Sequence, residues 1–145
     1  MREKTQLIER QEELIRALSS PIIQVWDDVL TIPVVGELDD RRSTEIMQSL
    51  LARISSTRSR YAIVDLTGVS DIDAATADRI ARIVRAVKLL GARGIITGIR
   101  PAVAQVMTSL GADLTDVTTH RSLREGLRAC MADRLKEAQK LRQSG

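Results

Sequence analysis

The residue types that most often carry chemistry are scarce in this chain of 145 residues, which has one histidine and one cysteine. His120 stands beside a predicted helix start, where it would cap the helix or be solvated, and Cys130 falls on an apolar helical pattern. A Ser-His-Asp or Cys-His site needs specific partners, and no motif in the sequence supplies them. A single cysteine also excludes an internal disulfide and a cysteine-based zinc cluster. We therefore predict that the protein is not an enzyme.

Carboxylates in two short segments have the spacing to hold a metal ion: Asp39 with Asp40, and Asp71 with Asp73. Each pair is more simply explained as a helix cap next to a turn. The glycines between residues 91 and 98 do not match the spacing of a phosphate-binding or dinucleotide-binding loop. We therefore predict neither a metal nor a cofactor.

Basic residues recur every three positions along one predicted helix: Arg79, Arg82, Arg85 and Lys88. Each step of three shifts the position by about 60° around a helix, so these side chains would wind around its outer half. The simpler interpretation is that these residues form a solvated face. The more specific alternative is that they form a docking face for an acidic partner. The net charge of +3 is mild and no nucleic-acid-binding motif is present, so we predict no nucleic-acid partner.

Apolar runs in the sequence are all shorter than the roughly 20 residues that a membrane-spanning helix needs. The first 20 residues carry charges throughout and lack the apolar stretch of a signal peptide. We therefore expect a cytoplasmic protein without a membrane partner. Trp26 and Tyr61 are the only aromatic residues, so the core must consist of aliphatic side chains, as is typical of helices packed on a sheet.

Hydrophobic periodicity predicts a helix over residues 3–19, whose apolar stripe includes Leu7, Leu14 and Leu18. A helix this short is marginally stable alone, so the stripe needs a partner, either the domain or a second chain. Pro21 ends this helix because proline disfavours helix in the residue before it. We assign residues 1–20 to a linker or dimerisation helix, 21–135 to one domain and 136–145 to a polar C-terminal tail.

Within the domain, strands and helices alternate. Strands are predicted at 22–26, 29–35, 61–66 and 94–98 and near residue 117, and helices at 39–54, 74–90, 101–111 and 122–135. This order predicts an α/β fold with a mixed, mostly parallel sheet of four or five strands backed by helices. The predicted inner faces include Leu90 on the central helix and Leu123, Leu127 and Met131 on the last one.

Residues 65–114 closely resemble the STAS domains of stressosome proteins, especially the RsbR-type co-antagonists. The most telling parts are the D-x-T-G-V loop that begins at Asp65 and the G-I-R-P-x-x-A-Q segment from Gly98 to Gln105. The resemblance implies a STAS (SpoIIAA-like) fold. It also implies an anti-sigma-factor antagonist that assembles with other STAS-domain subunits and captures a serine/threonine switch kinase in stress signalling. The N-terminal helix resembles the linker that joins a sensor domain to the STAS domain in such proteins.

The sequence departs from this family at the two positions that usually carry a phosphorylatable residue, which here are Ala74 and Val106. Three explanations remain: a scaffold member that is not itself switched, a different acceptor such as Thr76 or Thr108, or residues that have been substituted. The resemblance implies a partner-binding surface around the start of the central helix. Its predicted members are Asp71, Asp73, Ala74, Asp78, Arg79 and Arg82.

An alternative interpretation is a regulatory module that binds a small ligand or a nucleotide. Its site would be the crevice between residues 67–73 and 98–102, because open sheets usually hold ligands at the carboxyl ends of adjacent strands. Thr97 and Arg100, together with the helix that Pro101 opens, would receive an anion there.

Overall fold

The computed structural model describes residues 21–36, 38–109 and 117–144, which form one five-stranded sheet and four helices. The strands are β1 (Ile23–Trp26), β2 (Val29–Pro33), β3 (Tyr61–Asp65), β4 (Arg93–Thr97) and β5 (Thr118–His120). The helices are α1 (Asp40–Thr57), α2 (Ala74–Leu89), α3 (Pro101–Ser109) and α4 (Leu123–Ser144). The predicted helix over residues 3–19, with Leu7, Leu14 and Leu18, lies outside the described residues.

The strands follow one another across the sheet in the order β1-β2-β3-β4-β5. β1 and β2 form an antiparallel hairpin, joined by a tight turn at Asp27–Asp28, and the remaining pairs are parallel. The parallel pairs arise because a helix connects each of these strands to the next, as the alternating pattern predicts. The predicted mixed, mostly parallel sheet backed by helices is therefore confirmed.

Helices cover both faces of the sheet. On one face, a large aliphatic cluster joins the sheet to α1, α2 and α3, with Leu30, Val64 and Ile96 at its centre. On the other face, a smaller cluster joins the sheet to α4. Its members are Val29, Tyr61, Ile63 and Ile95 from the strands and Cys130 from α4. Successive residues of a strand point to opposite faces, so the near-continuous apolar runs in β2 and β3 supply both clusters.

Two predicted inward-facing residues are exposed. Leu90 is 49% exposed because α2 ends at Leu89, and Gly91 then turns the chain with a φ of 85°. Met131 is 48% exposed because α4 is rotated relative to the predicted orientation; Cys130, Leu123 and Leu127 pack against the sheet as the apolar pattern predicts.

Helix α4 also continues to Ser144, through the segment predicted as a polar tail. An ion pair between Glu137 and Arg60 attaches this part of the helix to the sheet. Among the described residues, no helix is long and apolar enough to cross a membrane.

Candidate partner-binding surface

Helix α2 begins at an exposed loop, and Asp73 caps it. The Asp73 Oδ1 accepts a hydrogen bond from the backbone N–H of Thr76 at 2.8 Å, which is the usual role of an aspartate at this position. Hydrogen bonds from the Thr76 side chain and backbone, in that order, hold the pKa of the Asp73 carboxyl below its ordinary value. The start of α2 therefore presents an ionised carboxylate at the positive end of the helix dipole.

The loop before α2 is anchored by one buried residue, and the charged residues beside it are exposed. Ile72 is buried in the aliphatic cluster, whereas Asp71, Asp73, Ala74 and Asp78 are exposed. Four of the six predicted partner-binding residues thus lie on one accessible surface. We call this set, Asp71, Asp73, Ala74 and Asp78, the α2 entry surface.

The two predicted arginines differ in their surroundings. The Arg79 side chain is only 20% exposed; it donates to Asp40 Oδ1 from Nε at 2.9 Å and to the Leu38 carbonyl from Nη1 at 2.7 Å. Arg79 therefore connects α2 to the start of α1. Arg82 is well exposed and pairs with Asp78 one turn earlier, at 3.0 Å, so it extends the α2 entry surface along the helix.

A cleft of about 490 Å³ lies beside the α2 entry surface, between the β2–α1 and β3–α2 loops. Carboxylates from both loops line it, from Asp39 on one side and from Asp71 and Asp73 on the other, and Arg79 contributes its bound guanidinium. The excess of carboxylates makes the cleft a poor site for an anion.

One buried carboxylate, at the end of β3, joins the β3–α2 loop to the end of β4. The Asp65 Oδ1 accepts hydrogen bonds from the hydroxyl groups of Thr97 at 2.7 Å and Thr67 at 2.9 Å. The D-x-T-G-V motif thus supplies both an acceptor and a donor to the same polar cluster. This role of Asp65 was not predicted from the sequence, although a carboxylate at the end of a buried strand needs hydrogen-bond donors.

The prediction that Thr97 lines a ligand crevice is wrong. Thr97 is fully buried and its hydroxyl donates to Asp65, so it is not available to a ligand. Arg100 is exposed, and its Nη2 donates to the Thr67 carbonyl at 3.1 Å. The two loops are in contact here, because a Cβ at Gly98 would lie 2.1 Å from the Thr67 Oγ1.

The positions that would carry phosphate in the family differ in accessibility. Ala74 is exposed at the first residue of α2, whereas Val106 is half-buried and packs against the aliphatic cluster. Of the two alternative acceptors, Thr76 is half-buried beside Asp73, and Thr108 is exposed with its hydroxyl donating to the Ala104 carbonyl at 2.9 Å.

Metal chemistry has no evident site in the part of the chain that the structure describes, where no three His, Cys, Asp or Glu side chains are grouped so as to hold an ion. The α2 entry surface instead offers charged side chains and a helix end to another macromolecule.

A comparison with family models gives one match over the domain: the STAS domain, at residues 20–126. The chain belongs to the STAS domain family. Among curated proteins, the RsbT co-antagonist protein RsbRA of Bacillus subtilis (strain 168) is 37% identical over 129 residues, which cover 89% of this chain and 46% of that protein. The chain thus spans less than half the length of this relative.

Solved structures support the same assignment. A chain in the solved molecular architecture of the stressosome, a signal integration and transduction hub, is 30% identical and superposes with a TM-score of 0.67, covering 81% of this chain and 97% of that one. The anti-sigma factor antagonist SpoIIAA in its unphosphorylated form, at 17% identity, has a TM-score of 0.63 and covers 78% and 96%. The predicted SpoIIAA-like fold is confirmed.

Proposed function

We propose that this chain is a non-catalytic STAS scaffold subunit of a stressosome-like particle, which acts as an anti-sigma-factor antagonist in stress signalling. In this role it assembles with other STAS-domain subunits and binds a serine/threonine switch kinase in the cytoplasm. The family membership and the similarity to RsbT co-antagonists and to a stressosome chain support the proposal.

The observation that carries the proposal is the exposure of the α2 entry surface. The Asp71, Asp73 and Asp78 carboxylates and the first turn of α2 are accessible, while Ile72 and the Asp65 cluster hold the loop in place. A rigid, charged protrusion is suited to binding a partner protein, because it loses little conformational entropy when the partner binds. Electrostatic complementarity would then favour a basic patch on the kinase.

We further propose that this subunit is not switched at the usual positions. Ala74 and Val106 have no hydroxyl to accept phosphate. Thr76 is a poor substitute, since a phosphate on its side chain would lie beside the Asp73 carboxylate with which it is hydrogen-bonded. Thr108 is accessible but lies in the last turn of α3 and is not part of the α2 entry surface. The subunit would therefore bind the kinase constitutively and contribute scaffold rather than a phosphorylation signal.

The test combines assembly with phosphorylation. The chain is mixed with an RsbT-type kinase and ATP, the particle mass is measured by light scattering, and any phosphate is located by mass spectrometry. We expect a dimer or larger particle that retains the kinase and carries no phosphate. A matched Ala74→Ser variant, which restores an exposed hydroxyl at the first residue of α2, should become phosphorylated there. A monomer that does not bind the kinase would contradict the proposal.

A further inference from the structure

The outer side of α4 carries a continuous, exposed row of residues. The members of this row recur at alternating spacings of four and three, and all of them are exposed: Arg124, Arg128, Met131, Leu135, Ala138 and Arg142. At about 100° per residue, these positions fall within about 80° of the helix circumference. We call this row the α4 seam. Alternating spacings of four and three are those with which one α-helix packs along another in a coiled coil.

Contacts on the opposite side of α4 hold the α4 seam away from the sheet. Gly126 approaches the sheet so closely that a Cβ there would lie 2.7 Å from the Thr97 side chain, and Cys130 is buried. Further along the helix, Glu137 pairs with Arg60. These contacts extend over about three turns of the helix. The α4 seam is therefore a rigid surface, and it lies on the other face of the sheet from α2.

Apolar residues form the middle of the α4 seam, and arginines form both of its ends. Leu135 is 64% exposed and Met131 is 48% exposed. The guanidinium groups of Arg124, Arg128 and Arg142 have no ion-pair partner in the part of the chain that the structure describes. An exposed apolar patch with polar groups at its rim is a usual mark of an interaction site.

We propose that the α4 seam binds an α-helix of a partner protein, and that this helix has apolar side chains in its middle and carboxylates at both ends. The apolar side chains of the partner cover Met131 and Leu135, and its carboxylates pair with the arginines. Such a helix fits in either direction, because arginines occur at both ends of the seam. The inference adds a second interaction surface to the molecule and does not depend on the proposed function.

Charge argues against a second copy of α4 as the occupant. In a parallel or an antiparallel alignment, the second copy would place its own arginines beside those at the ends of the first, and like charges repel. An anionic membrane is a poor occupant for a different reason. Amphipathic helices that lie in a membrane bury their apolar face by about 5–10 Å and are rich in large apolar residues such as tryptophan and phenylalanine. The α4 seam has no aromatic residue, and the opposite side of α4 is attached to the sheet.

The test measures the affinity of two synthetic, fluorescein-labelled helical peptides for the whole chain. One peptide has leucines in the middle of a heptad seam and glutamates at both ends, and the other has lysines in place of the glutamates. We expect the glutamate peptide to bind, and the lysine peptide to bind at least about tenfold more weakly. Absence of binding by the glutamate peptide would overturn the proposal, because the seam would then be covered within the molecule or unable to hold a helix.

Two substitutions test the charged and the apolar part of the α4 seam. Arg128→Glu and Leu135→Asp should each weaken binding of the glutamate peptide at least about tenfold, and Arg128→Glu should also strengthen binding of the lysine peptide. Lys140→Glu is the matched control: it makes the same change of charge at an exposed position of α4, about 160° around the helix from the centre of the seam. Its affinity for both peptides should be nearly that of the parent chain. Equal affinities of Arg128→Glu and Lys140→Glu for the glutamate peptide would overturn the proposal.

Two further measurements distinguish the possible occupants. In sedimentation with vesicles of phosphatidylglycerol and phosphatidylcholine, the chain should stay in solution; binding to the vesicles that Leu135→Asp abolishes would overturn the proposal in favour of a membrane. Light scattering should give the same particle mass for the parent chain and for Leu135→Asp. A lower mass of the variant would overturn the proposal in favour of a second copy. Circular dichroism verifies that each variant is folded.

Discussion

Arg79 of α2 binds Asp40 at the start of α1, with Nε 2.9 Å from the Asp40 Oδ1, and its Nη1 reaches the Leu38 carbonyl. One side chain thus fixes the β2–α1 loop against α2, next to the α2 entry surface. The basic side chains that appeared equivalent in the sequence therefore have different roles: Arg79 is structural, and Arg82 is exposed.

Replacing Arg79 by alanine should lower the free energy of unfolding by about 1–2 kcal/mol, because the Leu38 carbonyl and the Asp40 carboxylate then lose their guanidinium donor. The matched control is Arg82→Ala, which removes an exposed pair with Asp78 and should cost about 0.5 kcal/mol or less. Urea denaturation of the three proteins measures both values. Equal losses in the two variants would mean that Arg79 does not join the helices.

Gly98→Ala should be strongly destabilising. Gly98 has a φ of 71°, and an added Cβ would lie 2.1 Å from Thr67 Oγ1 and 3.1 Å from Asp65 Oδ1. The substitution should cost more than about 2 kcal/mol, because it combines a left-handed backbone with a clash in the Asp65 cluster.

Gly91→Ala is the control for this substitution. Its φ of 85° is similar, but no atom lies within 4 Å of the added Cβ, so only the backbone cost of about 1 kcal/mol is expected. Thermal unfolding followed by circular dichroism distinguishes the two variants, and similar melting temperatures would contradict the close contact of the two loops.

Alkaline pH should destabilise the α4 side of the sheet. Burial, and then a hydrogen bond to Asp133, raise the pKa of Tyr61 from 10.0 to about 12, and burial raises the pKa of Cys130 from 9.0 to about 11. Both groups hold their protons more tightly when the chain is folded. Their contribution to stability is therefore complete below pH 9 and is lost as the pH rises from 9 to 12.

Unfolding free energies measured across this pH range check the prediction. In Tyr61→Phe the decline between pH 10 and 12 should be shallower, although the variant starts from a lower stability because it lacks the bond to Asp133. A decline as steep as that of the parent chain would show that Tyr61 is not its source.

Nucleotides and inorganic phosphate should not stabilise the protein. Thr97 is fully buried, and the cleft beside α2 is lined by Asp39, Asp71 and Asp73, which repel an anion. Thermal-shift measurements with ATP, GTP and phosphate should give unchanged melting temperatures. A rise of several degrees with one of them, lost in Arg100→Ala, would instead favour the ligand-binding alternative.

Local signals in the sequence predicted most of the fold. Asp73 as a cap, Gly91 as a helix end and Pro101 as a helix start act through their own backbone geometry, which is why these boundaries could be predicted to within a residue. The alternation of strands and helices then determined the parallel pairing.

The rotation of α4 could not be predicted because it depends on tertiary contacts between small and polar residues. Gly126 faces the sheet so closely that a Cβ there would lie 2.7 Å from the Thr97 side chain. Cys130 and Asp133 continue this face, and Asp133 accepts the hydroxyl of Tyr61. Hydrophobic periodicity takes no account of a glycine or an aspartate on the inner side of a helix, and it therefore placed Met131 there. Similarly, the burial of Thr97 depends on Asp65 in the neighbouring strand, a partner that spacing along the chain does not reveal.

The central claim is that the exposed start of α2 binds the switch kinase, and the affinity of that kinase for an Ala74→Arg chain tests it most directly. Arginine is a good helix former, so the domain should remain folded. Ala102→Arg, at an exposed position in the first turn of α3, is the matched control. A positive charge beside Asp73 and Asp78 would repel the basic patch expected on the kinase, so we predict that Ala74→Arg weakens binding at least about tenfold, whereas Ala102→Arg leaves it unchanged. Equal affinity of both variants and the parent chain would contradict the account.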